Sequence, residues 1–106
     1  MDEKKTILIV DDHPLFREGL ISFLSKQMGY EVVGEATKGE EGISKACELH
    51  PDLVLMDISL PDINGFDATR RIHTSLPETK VIVLNIHSTM ELVRYTARYG
   101  PIDVDL

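Results

Sequence analysis

At 106 residues, 42% hydrophobic and 27% charged, the chain has the size and composition of one globular domain with a single core, which excludes a disordered polymer and a pair of domains. A formal charge of −7 argues against a nucleic-acid surface built from these residues alone and suits a basic partner or a metal cation. The longest apolar runs, Ile7 to Val10 and Val81 to Leu84, are far short of a bilayer span, and Met1-Asp2-Glu3-Lys4-Lys5 lacks a signal-peptide core, so a cytoplasmic protein without membrane contact is expected.

Thr6 to Val10 is an apolar, β-branched run ended by Asp11-Asp12, which predicts a buried strand carrying both acids at its carboxyl end. Asp12 reads as an N-cap because His13-Pro14 follows, and proline suits a first helical turn. Phe16, Leu20, Phe23 and Leu24 recur at helical spacing, predicting a helix from about Pro14 to Lys26 that Gly29 closes. Glu31 to Glu35 is a shorter mixed run, expected nearer the sheet edge. Thr37-Lys38-Gly39-Glu40 has the capping-box pattern, and Ile43, Ala46, Cys47 and His50 form the stripe of a helix ending before Pro51. Cys47, the single cysteine, is expected on that apolar side as a small core residue.

Leu53 to Met56 follows Pro51 and leaves into a Pro/Asp/Asn/Gly segment, so it predicts a strand buried on both faces that holds Asp57 at its carboxyl end. Taken alone, such an acid is as much a turn starter as a reactive group. Phe66 to His73 predicts a shorter helix with Phe66, Thr69 and Ile72 on one side, and Lys80 to Leu84 the next buried strand. Ser88-Thr89-Met90-Glu91 is a second capping box, opening a helix to about Tyr99 that Gly100-Pro101 stops; Ile102 to Leu106 would begin a fifth strand. Strand–helix alternation predicts right-handed crossovers and a doubly wound, mostly parallel sheet with helices on both faces. All strand carboxyl ends then share one rim, where Asp11, Asp12 and Asp57 converge.

Three converging carboxylates without a lysine or arginine in their loops must hold protons or share a cation. Mg²⁺ resolves the conflict, since it takes one or two carboxylates together with waters and phosphate oxygens. Asp57, on the central strand, is the expected nucleophile, forming an aspartyl phosphate, with Asp11 and Asp12 as metal holders.

Three segments together, Ile7-Leu8-Ile9-Val10-Asp11-Asp12-His13-Pro14-Leu15-Phe16-Arg17-Glu18-Gly19-Leu20, Leu53-Val54-Leu55-Met56-Asp57-Ile58-Ser59-Leu60-Pro61-Asp62-Ile63-Asn64-Gly65 and Lys80-Val81-Ile82-Val83-Leu84, resemble the receiver domain of bacterial two-component response regulators, the first resembling the NarL-type subfamily in particular. The resemblance implies one receiver domain over residues 1–106, a five-stranded CheY-like fold of strand order 2-1-3-4-5, and phosphorylation of Asp57 by a sensor histidine kinase. It also implies Mg²⁺ held by Asp11, Asp12, Asp57 and the backbone carbonyl of Ser59, and an output on DNA only through a helix-turn-helix domain outside these residues. Agreement ends after residue 84. Asn85 stands where the family has a Thr or Ser that bonds the phosphoryl group, Val104 stands at the aromatic switch position, the phosphate-binding lysine would fall past Leu106, and the fifth βα unit is incomplete. The Asn85 amide retains a donor for phosphate.

These departures keep a degenerate receiver, binding partners without phosphorylation, as the alternative. An aspartate-nucleophile phosphohydrolase needs a second acid two residues after the nucleophile, where Ser59 stands, and a nucleotide-binding domain needs a Gly-rich loop that does not follow the first strand. His13 is weighed evenly between a contact with the metal or kinase and an exposed helix start; His87 reads as a loop residue, and His50 and His73 as helix ends without chemistry. Arg94 and Arg98 belong to a solvated face or a partner surface, and Tyr95 and Tyr99 to core packing or an interface. With the fifth helix missing, apolar groups of Val81 to Leu84 and the helix from Met90 are left partly uncovered, so self-association through Met90 to Leu106 is expected.

Overall fold

The computed structural model describes residues 4–84, 95–96 and 100–101. The elements are β1 (Lys5–Val10), α1 (Pro14–Ser25), β2 (Tyr30–Ala36), α2 (Gly39–Leu49), β3 (Leu53–Asp57), α3 (Gly65–Ser75), β4 (Lys80–Leu84), β5 (Tyr95–Thr96) and β6 (Gly100–Pro101). The first four strands form one parallel sheet in the order β2-β1-β3-β4, so the chain runs outward from β1 to one edge and then back through β3 to the other. That reversal between β1 and β3 is the topological switch point of a doubly wound sheet.

The strand apolar runs are continuous because both faces are covered. Leu8, Val10, Val54, Met56, Val81 and Val83 are buried against Ala46 of α2 and Ala68 and Ile72 of α3 in one cluster. Ile7 and Ile9 alternate with Leu8 and Val10 and so are buried on the opposite face, while α1 packs against β2. That second face is less completely closed: Ile82 and Leu84 of β4 are half-buried while Val81 and Val83 are buried, and no α1 residue is fully buried. The partial exposure expected along β4 is therefore confined, among its apolar residues, to the face of Ile82 and Leu84.

Phe23, expected in the α1 stripe, is 62% exposed. The inward arc runs from Phe16 through Leu20, Leu24 and Arg17 to Ile21, all half-buried, and at about 100° per residue Phe23 falls beyond its edge. The N-cap of α1 is His13 rather than Asp12, with no side-chain cap. Asp11 Oδ1 accepts the N–H of His13 itself at 2.7 Å, which holds the N-cap residue without capping the helix.

The expected capping box of α2 does not form, since the N-cap has no side-chain cap; only a glutamate back-bond is made, one residue later. Its N-cap is Lys38, which makes Glu41 the third helical residue, and Glu41 Oε1 accepts the Thr37 N–H at 2.9 Å. Glu40 instead pairs with Arg71 of α3, at 2.6 and 3.0 Å. Cys47 is exposed, contrary to its expected place in the core. The buried face is Gly39, Gly42 and Ala46, with Ile43 half-buried, and Cys47 lies one residue round from Ala46. Nor does His50 continue the stripe; it ends the helix in the left-handed region at φ 48°, its N–H on Ala46 O at 2.8 Å.

The expected helix to Tyr99 is contradicted at Tyr95–Thr96, which is extended and pairs antiparallel with Gly100–Pro101, a segment read as a helix stop. Aromatic and β-branched residues favour strand, so local preference at these two positions agrees with the pairing. The remainder of that helix, its capping box and the Ile102 to Leu106 strand lie outside the described residues, as does most of the segment expected to self-associate.

Candidate functional site

Asp11 follows β1 directly and Asp57 is the last residue of β3. Because β1 and β3 are adjacent and parallel, with Val10 opposite Met56, their next residues emerge side by side at the switch point. Both acids are buried. Asp11 N–H donates to Ala36 O at 3.0 Å, extending the ladder with β2, and its carbonyl accepts from Arg17 at 2.8 Å, so its backbone is held from two sides. Asp57 Oδ1 accepts the Ser59 N–H at 3.2 Å.

The loop after Asp57 is tied back in three places. Ile58 N–H donates to Leu84 O at 3.0 Å, Gly65 N–H donates to Ile58 O at 2.9 Å, and Ser59 bridges Asn64 antiparallel. Asn64 caps α3, accepting the Phe66 N–H at 2.7 Å. Asp62 reaches out of the loop to α2, where its carboxylate accepts the N–H groups of Gly39 and Glu40 at 2.7 and 2.9 Å. Desolvation alone would raise the Asp62 pKa, but these backbone donors and that of Ile63 hold it below the usual carboxylate value.

Asp11, Asp12, Asp57 and His13 each present a ligand atom, and the four atoms lie within 4.8 Å of one another. His13 Nδ1 stands 3.1 Å from Asp11 Oδ1, 2.9 Å from Asp12 Oδ1 and 3.5 Å from Asp57 Oδ2. His13 is thus an exposed residue at the start of α1 whose ring also stands beside the acids. Burial raises the Asp11 pKa, the His13 N–H opposes that, and the Asp57 charge adds to it. For His13, desolvation favours the neutral ring but is outweighed by the bond to Asp11 and the charges of Asp12, Asp11 and Asp57, so its pKa is raised.

This donor set fits a hard divalent cation. Three carboxylates share one small volume, and Asp12 Oδ1 is buried without a hydrogen bond. Asn85, Val104, His87, Arg94 and Arg98 lie outside the described residues. Asp62 and Arg17, which position the site, were not picked out as site residues in the sequence, because their partners are 22 or 23 residues away for Asp62 and in part a backbone carbonyl for Arg17. His50 and His73 are not among the groups gathered there.

A parallel sheet of order 2-1-3-4 with an acidic cluster at its switch point defines a CheY-like α/β domain with the acid pocket typical of the Mg site of receivers. The chain belongs to the response regulator receiver domain family, whose model matches residues 7–104. Its relatives are NarL/LuxR-type regulators. It is 50% identical over 78 residues to the response regulator protein VraR of Staphylococcus aureus, covering 74% of this chain and 37% of VraR. It is 38% identical over 99 residues to the transcriptional regulatory protein DegU of Brevibacillus brevis, covering 93% of this chain and 42% of DegU. A LuxR-family two-component response regulator from Aurantimonas sp. SI85-9A1 superposes with a TM-score of 0.76 at 35% identity, over 81% of this chain and 61% of that one. The chain thus spans about two fifths of the curated relatives it matches. It is a receiver domain related to transcription regulators. Among the described residues, no helix is long and apolar enough to cross a membrane.

Proposed function

We propose that residues 1–106 are the phosphoacceptor module of a cytoplasmic two-component regulator, with Asp57 as the acceptor. The observation that carries this reading is the placement of Asp57 at the end of β3, its side chain fully buried, beside Asp11 and Asp12. A carboxylate oxygen of Asp57 attacks phosphorus, and the bond from phosphorus to the donor breaks, with the electron pair leaving on the donor. The donor is the phosphohistidine of a sensor kinase, or acetyl phosphate in vitro, and the product is an acyl phosphate. Asp11, Asp12, Asp57 and the Ser59 carbonyl would hold Mg²⁺, which supplies charge neutralisation for the incoming phosphoryl group. The Asn85 amide would donate to that group in place of a hydroxyl. By analogy with the names of its relatives, the phosphorylated state would act on transcription through a DNA-binding output domain outside these residues.

Intact mass after incubation with acetyl phosphate and Mg²⁺ tests this. One added phosphoryl group on the wild type and none on Asp57→Asn is expected; equal labelling of the variant would remove Asp57 from the role. No labelling of either protein would favour the second reading, a degenerate receiver that binds partners without phosphate, which Asn85 and Val104 at the family's hydroxyl and aromatic positions support.

A further inference from the structure

We propose that His13 Nδ1 is a ligand of the metal held by Asp11, Asp12 and Asp57, making this a mixed nitrogen–oxygen site that favours Mn²⁺ and Ni²⁺ over Mg²⁺ more than an all-oxygen site does. The inference rests on the metal reading above and goes beyond it in naming a specificity residue.

The argument is one of spacing. In an octahedral shell with ligands at about 2.1 Å, adjacent ligand atoms are about 3 Å apart. His13 Nδ1 is 3.1, 2.9 and 3.5 Å from one oxygen of Asp11, Asp12 and Asp57 respectively, which is the spacing of neighbours in one shell. All four atoms fit within 4.8 Å, close to the breadth of such a shell. The backbone presents the ring there. The N–H of His13 is bound by Asp11 Oδ1 at 2.7 Å, and the residue is the N-cap of α1, with φ −100° and ψ 104°, immediately before Pro14. It therefore stays extended at the rim, where the ring closes over the acids. Imidazole is a poor ligand for Mg²⁺ and a good one for later first-row ions, whose affinity rises from Mn²⁺ to Ni²⁺. A ring that only hydrogen-bonds to Asp11 would leave metal preference untouched, so the two roles separate by experiment.

The test uses the whole chain at one fixed pH, with Asp12→Ala and His13→Ala beside the wild type. Calorimetric titration with MgCl₂, MnCl₂ and NiCl₂ gives the affinities, and pulsed EPR of the Mn²⁺-loaded protein reports nitrogen in the first shell. The wild type should show imidazole ¹⁴N modulation that His13→Ala abolishes. In that variant Ni²⁺ affinity should fall about tenfold or more while Mg²⁺ affinity changes far less. Asp12-dependent binding of all three ions, with no ¹⁴N modulation and an unchanged Ni²⁺ to Mg²⁺ ratio in His13→Ala, overturns the inference and leaves the metal reading standing. Modulation that survives in His13→Ala also overturns it, since another histidine would be the ligand. Binding that ignores Asp12 overturns the metal reading itself, and the inference with it.

Discussion

Alanine at position 65 should destabilise the domain although alanine favours a helix. Gly65 is the first residue of α3, and a Cβ built there would lie 2.8 Å from Ile58 Cα, 3.1 Å from the Asp57 carbonyl carbon and closer still to the Asp57 carbonyl oxygen. These are backbone atoms of a strand end that cannot swing aside: Asp57 pairs with Leu84, and Ile58 N–H donates to Leu84 O at 3.0 Å. Replacing glycine in a helix gains up to about 1 kcal/mol from propensity. Overpacking costs typically about 1–3 kcal/mol, and rigid backbone puts this site at the upper end, so a net loss of about 1–2 kcal/mol is expected. Gly19, in α1, has nothing within 4 Å of its built Cβ, so Gly19→Ala isolates the propensity term and should gain about 0.5–1 kcal/mol. Urea and thermal melts of both variants measure the pair, at roughly 4–8 °C per kcal/mol for a domain of this size. Because the displaced atoms carry Asp57, Gly65→Ala should also slow phosphorylation from acetyl phosphate. Equal stability of Gly65→Ala and wild type, with unchanged phosphorylation, would show that α3 can back away freely and refute the reasoning.

Asp12→Ala should weaken Mg²⁺ binding, and excess chelator should abolish phosphotransfer; full transfer with chelator present would take the metal out of the mechanism. Asp62→Asn should cost about 0.5–2 kcal/mol by weakening the cap on Gly39 and Glu40 of α2. The folded pKa of Asp62 lies below the usual carboxylate value, so this contribution is complete above the unfolded pKa and is lost as pH falls through the folded one. The gap between wild-type and Asp62→Asn stability should accordingly hold at neutral pH and close under acid, and a gap that widens there would contradict the cap. Cys47→Ser, on the exposed side of α2, should change stability by less than about 0.5 kcal/mol and tests the corrected placement of that thiol.

Much of the architecture was legible in the sequence because a parallel sheet covered on both faces leaves continuous apolar runs, here Ile7 to Val10, Leu53 to Met56 and Val81 to Leu84, each bounded by charge or proline. Their alternation with helices forces the crossovers, and the crossovers alone put Asp11, Asp12 and Asp57 on one rim, whatever the side chains between them do. Which residue of a helix faces inward is another matter. It depends on the centre of the contact arc, and an error of one residue rotates a side chain by about 100°, enough to carry Cys47 out of the core and Phe23 past its edge. Contacts between distant segments leave no local pattern at all. The Asp62 cap on α2 and the approach of the His13 ring to Asp57 each depend on where the backbone brings two surfaces together, and only the tertiary structure decided them.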